Sequence, residues 1–311
     1  MALSDPGYYD YLPAIDRPKL TWPNGARLAV WVVPNIEFYE LLPPVGSKRK
    51  PWPRVQPDIL AYSHCDYGNR VGVWRLMDVL DRHGVRASVS LNVAVCEHHP
   101  EIIEACVERK WELFSHGIYN TRYTYDMDES QERTMIRDAI DTVYKHTGQR
   151  LTGWLAPWLS NTERSMDLLA EAGIRYTCDL FHDDQPLPVN VRTGRLISVP
   201  YSIEVNDGPA YNRFFASPRQ YAEMIRAQFD QLYLEGAESG QVMCIPVHTN
   251  LSATPHRLGA LASALEYITA HDRVWVTTGT EIAEWYYAHH YDEVAGYLAA
   301  RRAGRATAGQ P

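Results

Sequence analysis

Residues 72–115 read GVWRLMDVLDRHGVRASVSLNVAVCEHHPEIIEACVERKWELFS. Apolar residues recur at helical spacing from Gly72 to His83, and Gly84 supplies a C-terminal stop. Arg86–Leu91 is short and partly branched, as a strand is. A second helix is predicted over Pro100–Lys110, its proline in the first turn where a missing N–H costs nothing. Trp111–Ser115 is a second strand. Helix, strand, helix, strand in one stretch points to a parallel sheet, because parallel strands need a helical crossover.

The same alternation extends outward in both directions. Arg27–Val33 is a buried strand by its length and branched content. Downstream, strands are predicted over Leu151–Ala156, Arg175–Leu180, Gln241–Val247 and Arg273–Thr277, with a further short one over Arg195–Val199. Helices are predicted over Ser130–His146, Thr162–Ala172 (capped by Asn161), Pro218–Glu235, Arg257–His271 and Glu281–His289. The expected fold is therefore α/β, a distorted (β/α) barrel of about seven parallel strands. An open doubly wound sheet is the rival, but no G-x-G-x-x-G follows any strand. The expected organisation is an irregular N-terminal arm (1–24), one barrel domain (25–295) and a frayed tail (296–311). Five prolines between 43 and 57 make 41–58 a long loop or lid.

Composition narrows the function. The 311 residues carry 30 Lys and Arg against 38 Asp and Glu, so the net charge is 30 − 38 = −8. That balance argues against a nucleic-acid partner, whose phosphates need cations. No apolar run approaches the roughly 18 residues of a membrane span. Five cysteines without a CxxC indicate neither a disulfide framework nor a structural zinc site. Met1–Pro6 lacks a basic region followed by an apolar one. The expectation is a reduced, cytoplasmic protein acting on a small molecule.

In α/β barrels the chemistry sits at the C-terminal ends of the strands. Asn35-Ile36-Glu37 follows the first strand, His116-Gly117-Ile118-Tyr119-Asn120 the third, Pro157-Trp158 the fourth, Asp179 the fifth and His248-Thr249-Asn250 a late one. Singly, each has an ordinary reading as a cap, a turn or a satisfied core histidine. Together they put Glu, His, Asp and His on one rim, which favours an enzyme.

That order of residues resembles the polysaccharide deacetylase (NodB-homology) family. WPNGARLAVWVVPNIE (22–37) and YGNRVGVWRLMDVLDRHGVRASVSLN (67–92) are similar to its cytoplasmic branch, which includes metal-independent allantoinase-type proteins, cyclic imide hydrolases and peptidoglycan-deacetylase-like proteins. The resemblance implies a barrel that hydrolyses an amide C–N bond, and a homotetramer. In the sugar deacetylases an Asp pair supplies a base and a metal ligand, H-x-x-x-H supplies two more ligands, and a late His is the general acid. Here these positions fall on Asn35 and Glu37, on His116 and Asn120, and on His248. Asn35 has no carboxylate, and Asn120 offers an amide where an imidazole would bind zinc. Glu37 and His116 are the metal ligands if any metal binds, with zinc the alternative to a site that needs none.

The expected roles follow from the chemistry. Glu37 activates or positions water, His116 orients it or polarises the carbonyl, and His248 protonates the leaving nitrogen. Asn35 and Asn120 bind substrate, Trp158 walls the pocket, Arg70 meets an anionic substrate group or a neighbouring subunit, and Asp179 fixes a histidine tautomer. The leading substrate class is a small cyclic amide, imide or ureide. A metal-dependent N-deacetylase is the first alternative, and a non-catalytic ligand-binding barrel the second.

Overall fold

The computed structural model describes residues 7–44, 56–125 and 127–308. Its strands are β1 (Leu28–Ile36), β2 (Ser88–Leu91), β3 (Glu112–Ser115), β4 (Gly153–Trp154), β5 (Tyr176–Thr177), β6 (Leu187–Val189), β7 (Leu196–Ser198), β8 (Gln241–His248) and β9 (Val274–Val276). Its helices are α1 (Ile59–Tyr67), α2 (Val73–Arg82), α3 (Val95–His98), α4 (Pro100–Glu108), α5 (Glu129–Thr147), α6 (Ser165–Glu171), α7 (Asp207–Asn212), α8 (Pro218–Glu235), α9 (Leu258–Thr269), α10 (Gly279–His289) and α11 (Tyr291–Ala308).

The strands form one sheet in the order β6-β7-β5-β4-β3-β2-β1-β8, and β9 pairs with the start of β1. Every pairing is parallel except β6 with β7. The sheet curls into a half-barrel with helices outside, as the strand–helix alternation predicts.

Period-two alternation decides which side chains face in. Along β1, Leu28, Val30, Val32 and Ile36 pack with the helices, whereas Ala29, Trp31 and Val33 join Phe114, Tyr176 and Cys244 in the interior. Asn35 and Glu37 continue the interior set past the point where apolar packing stops. The same parity carries His116 inward after Phe114, and His248 inward after Val242 and Cys244.

Four stretches differ from the sequence reading. The segment 59–71 is helical, so α1 runs through a π-helical turn (Gly68–Gly72) straight into α2. A short helix, α7, precedes α8. β4 and β5 shrink to two residues each. The tail expected to fray from 296 is instead helix to Ala308. Val294 and Leu298 are buried, Arg302 pairs with Asp10, and Arg301 pairs with Asp16 of the N-terminal arm. Most of the expected 41–58 lid lies outside the described residues.

Candidate active site

Glu37, His116 and His248 meet at the mouth of the half-barrel. One oxygen of Glu37, Oε1, stands 3.6 Å from His116 Nε2 and 3.6 Å from His248 Nε2. Glu37 and His116 are buried, 8% and 6% exposed, and His248 is partly buried. The three come from the ends of β1, β3 and β8, far apart in sequence and brought together by the curled sheet, in which β8 pairs with β1 and β2 lies between β1 and β3.

Each imidazole is oriented through its other nitrogen. His116 Nδ1 lies 3.0 Å from the Leu155 carbonyl. A carbonyl only accepts, so Nδ1 carries the proton and Nε2 is aimed at Glu37. His248 Nδ1 lies 2.5 Å from Asp207 Oδ1, and Asp207 is fully buried. The other Asp207 oxygen accepts the backbone N–H groups of His248 (2.8 Å) and Ser252 (3.1 Å). Asp207 is therefore locked to the loop that it orients.

The charges follow from this packing. Burial works against a charged His248, but the carboxylates of Asp207 and Glu37 overcome it and push the ring up to about 10. Burial likewise works against an ionised Glu37, but the His248 and His116 rings hold its carboxyl well below the usual range. At neutral pH the site holds a carboxylate against an imidazolium, which is a proton acceptor beside a proton donor.

The backbone beside Glu37 is fixed from two sides. The Glu37 carbonyl accepts from Asn69 Nδ2 at 2.9 Å and from the Cys65 thiol at 2.9 Å. Phe38 N–H donates to Asn92 Oδ1 at 2.8 Å, and Asn92 Nδ2 donates to the His116 carbonyl. Asn69 sits on the π-helical turn, a geometry frequent at functional sites. The turn rests on the loop after His248. A Cβ on Gly68 would lie 2.5 Å from Thr249 Oγ1, and one on Gly72 would lie 1.9 Å from the Thr249 carbonyl.

The other expected residues divide. Asn35 is buried and level with His248 in the sheet, but its amide pairs with the Tyr201 hydroxyl (3.1 Å). Asn120 is buried and donates to the Tyr39 hydroxyl at 2.6 Å, and its Oδ1 has no hydrogen-bond partner among the described residues. Trp158 is 41% exposed on a turn with left-handed backbone (φ 54°). That turn packs on the residue after His116, since a Cβ on Gly117 would meet the Pro157 ring at 2.7 Å.

Two expectations are corrected. Asp179 does not set the tautomer of either active-site histidine. It accepts from Ala156 N (2.8 Å) and the Thr177 hydroxyl (3.1 Å), and burial raises it to about 6. The carboxylate that orients a histidine is Asp207, in an N-D-G-P turn with no local mark of the role. Arg70 does not join the site. Its side chain is 71% exposed and pairs with Asp66 one helical turn away.

The donor set does not fit a zinc triad. Glu37 and His116 are suitable ligands, but position 120 supplies only a neutral amide oxygen, a poor zinc ligand beside imidazole. His248 is no substitute, because its ring is held between two carboxylates, with Nδ1 on Asp207 and a protonated Nε2 facing Glu37. Among the described residues, no group of three or more His, Cys, Asp or Glu is placed to hold a metal.

Comparison with known proteins accords with this architecture. The polysaccharide deacetylase family model matches residues 55–177. The chain carries a polysaccharide deacetylase family domain over these residues. It is accordingly a hydrolase acting on amide C–N bonds other than peptide bonds. A Schizosaccharomyces pombe relative whose name places it among the polysaccharide deacetylases is 27% identical over 300 residues, 86% of this chain and 93% of its own. The Helicobacter pylori peptidoglycan deacetylase is 25% identical over 251 residues, 70% of this chain and 84% of its own. Among solved structures, Puue allantoinase superposes with a TM-score of 0.79 at 27% identity, covering 90% of this chain and 99% of that one. The family match spans His116 and Asn120 but ends short of His248 and begins after Glu37.

Proposed function

We propose that this polysaccharide deacetylase family member opens a small cyclic amide, imide or ureide without a metal ion. The observation that carries the reading is the Glu37 carboxylate held between two imidazoles, with Asn at both positions where metal-dependent relatives would need Asp and His. Glu37 orients a water against the substrate carbonyl and takes its proton as the C–O bond forms. His248 delivers its Nε2 proton to the leaving nitrogen as the C–N bond breaks. Loss of the imidazolium charge removes one of the influences that keep Glu37 a weak acceptor, so the two transfers assist each other. His116, with Nδ1 tied to Leu155, positions Glu37 from the other side. The Asn120 amide, whose buried Oδ1 has no partner among the described residues, suits a substrate ring N–H. The likeness to Puue allantoinase over nearly the full length of both chains supports a small ureide over a polymer.

A second reading is favoured by the names of the curated relatives. It is hydrolysis of an N-acetyl group with a divalent ion held by Glu37 and His116. One experiment separates the two. The protein is purified without added metal or chelator and its metal content measured. It is then screened against five- and six-membered cyclic ureides and imides and against N-acetylated amino sugars, with Glu37→Gln and His248→Ala as controls. Ring opening by metal-poor protein, abolished in both variants, is the expected result. About one zinc per chain with turnover confined to acetylated sugars sinks the proposal, as does ring opening that survives either substitution.

A further inference from the structure

We infer that Asn69 and Asn92 are positioning residues that clamp the Glu37–Phe38 peptide unit and thereby hold the Glu37 carboxylate between its two histidines. The inference rests on the reading of Glu37 as the water-activating group. The carbonyl of Glu37 and the N–H of Phe38 belong to one planar peptide group. Asn69 donates to the carbonyl at 2.9 Å, and Asn92 accepts from the N–H at 2.8 Å. The plane is gripped at both ends by side chains from different elements, one on the π-helical turn and one just past β2.

Ordinary folding requirements do not explain the pair. Asn69 is 4% exposed, and its Oδ1 is buried with no hydrogen-bond partner among the described residues. A buried amide that leaves one atom unpaired carries a stability cost that an apolar residue would avoid. Asn92 is fully buried, and its second amide atom holds the His116 carbonyl. Its own N–H donates to the Ile36 carbonyl at 3.0 Å. One side chain therefore ties the backbone of the carboxylate to the backbone of the first histidine. Asn69 stands on a turn seated against Thr249, next to the second histidine, where only glycine at 68 and 72 allows the approach. The two amides thus connect all three site strands through the peptide that bears Glu37.

The test needs no substrate. Histidine ring nitrogens are followed by NMR through a pH titration in the wild type, Asn69→Ala, Asn92→Ala and Asn92→Asp. Val89→Ala, fully buried in the apolar core on β2, is the structural control. Loosening the clamp lets Glu37 move from His248, so the His248 midpoint should fall by at least about one pH unit in both alanine variants. Asn92→Asp keeps the acceptor for Phe38 but adds a buried carboxylate, so its His248 midpoint should not fall with those of the alanine variants. Val89→Ala should lower Tm without moving the midpoint. On any cyclic imide the wild type opens, the alanine variants should lose at least about tenfold in kcat with KM within about threefold. A His248 midpoint unchanged in both alanine variants, with Tm lowered as in Val89→Ala, overturns the clamp. That outcome leaves the role of Glu37 standing. Glu37→Gln with full turnover would remove that role whatever the clamp variants show. If Asn92→Ala fails to fold, Asn69→Ala tests the other end of the same peptide.

Discussion

Replacing Asp207 by Asn should move the titration of His248 further than any other single change outside the reacting groups. The ring sits at about 10 against an ordinary 6.5, a difference of about 3.5 pH units, or about 5 kcal/mol. Burial opposes that rise, so the two carboxylates together supply more than the net difference, and Asp207 is the stronger. Removing its charge should lower the midpoint by at least about two units, or roughly 3 kcal/mol. The amide also turns a donor toward one of the N–H groups that Asp207 now accepts, from His248 or Ser252, so a stability loss accompanies the shift. The pH dependence has a fixed sign. A histidine raised on folding contributes its full stability below its unfolded value of about 6.5 and loses it as pH rises through the folded value. The wild type should therefore lose stability between about pH 6.5 and 10, at no more than about 1.4 kcal/mol per pH unit from this group, and the variant should finish its loss at lower pH. Ring-nitrogen NMR gives the midpoint and urea unfolding across pH gives the slope. A variant midpoint still above about 9, or a wild-type ring titrating near 6.5, would refute the assignment of Asp207.

Other outcomes rest on the same geometry. Glu37→Gln should reduce kcat by at least about a hundredfold and lower the His248 midpoint, read by steady-state kinetics and NMR. With Glu37 ionised and His248 protonated, kcat/KM should stay flat through neutral pH and fall only as the solution approaches about pH 10, whereas an unshifted histidine would begin its fall near 6.5. Gly72→Ala should cost at least about 2 kcal/mol in urea unfolding, because its Cβ would lie 1.9 Å from a backbone carbonyl that cannot yield. Leu298→Ala should cost about 2–5 kcal/mol, since this α11 side chain is 5% exposed; a frayed tail would give no change.

The sequence alone determined the α/β class, the order of most elements and the rim of polar residues. Those rest on local signals: apolar periodicity, glycine stops, and the polar residues at the end of each strand. Glu37, His116 and His248 were legible for that reason, because each closely trails an apolar run that had to be a strand. The helical 59–71 segment was less legible, because Gly68 and Gly72 look like breakers until Thr249 is seen pressed against them. The tail from 296 looked frayed because its arginines find their acids only in the folded N-terminal arm. Tertiary structure alone decided that Asp207, and not Asp179, orients a histidine. It also decided that Asn69 and Asn92 grip one peptide, and that Arg70 faces solvent. A side chain's chemistry is written in the sequence. Its charge state and partner depend on burial and on neighbours dozens of residues away, which only the closed sheet brings within hydrogen-bond reach.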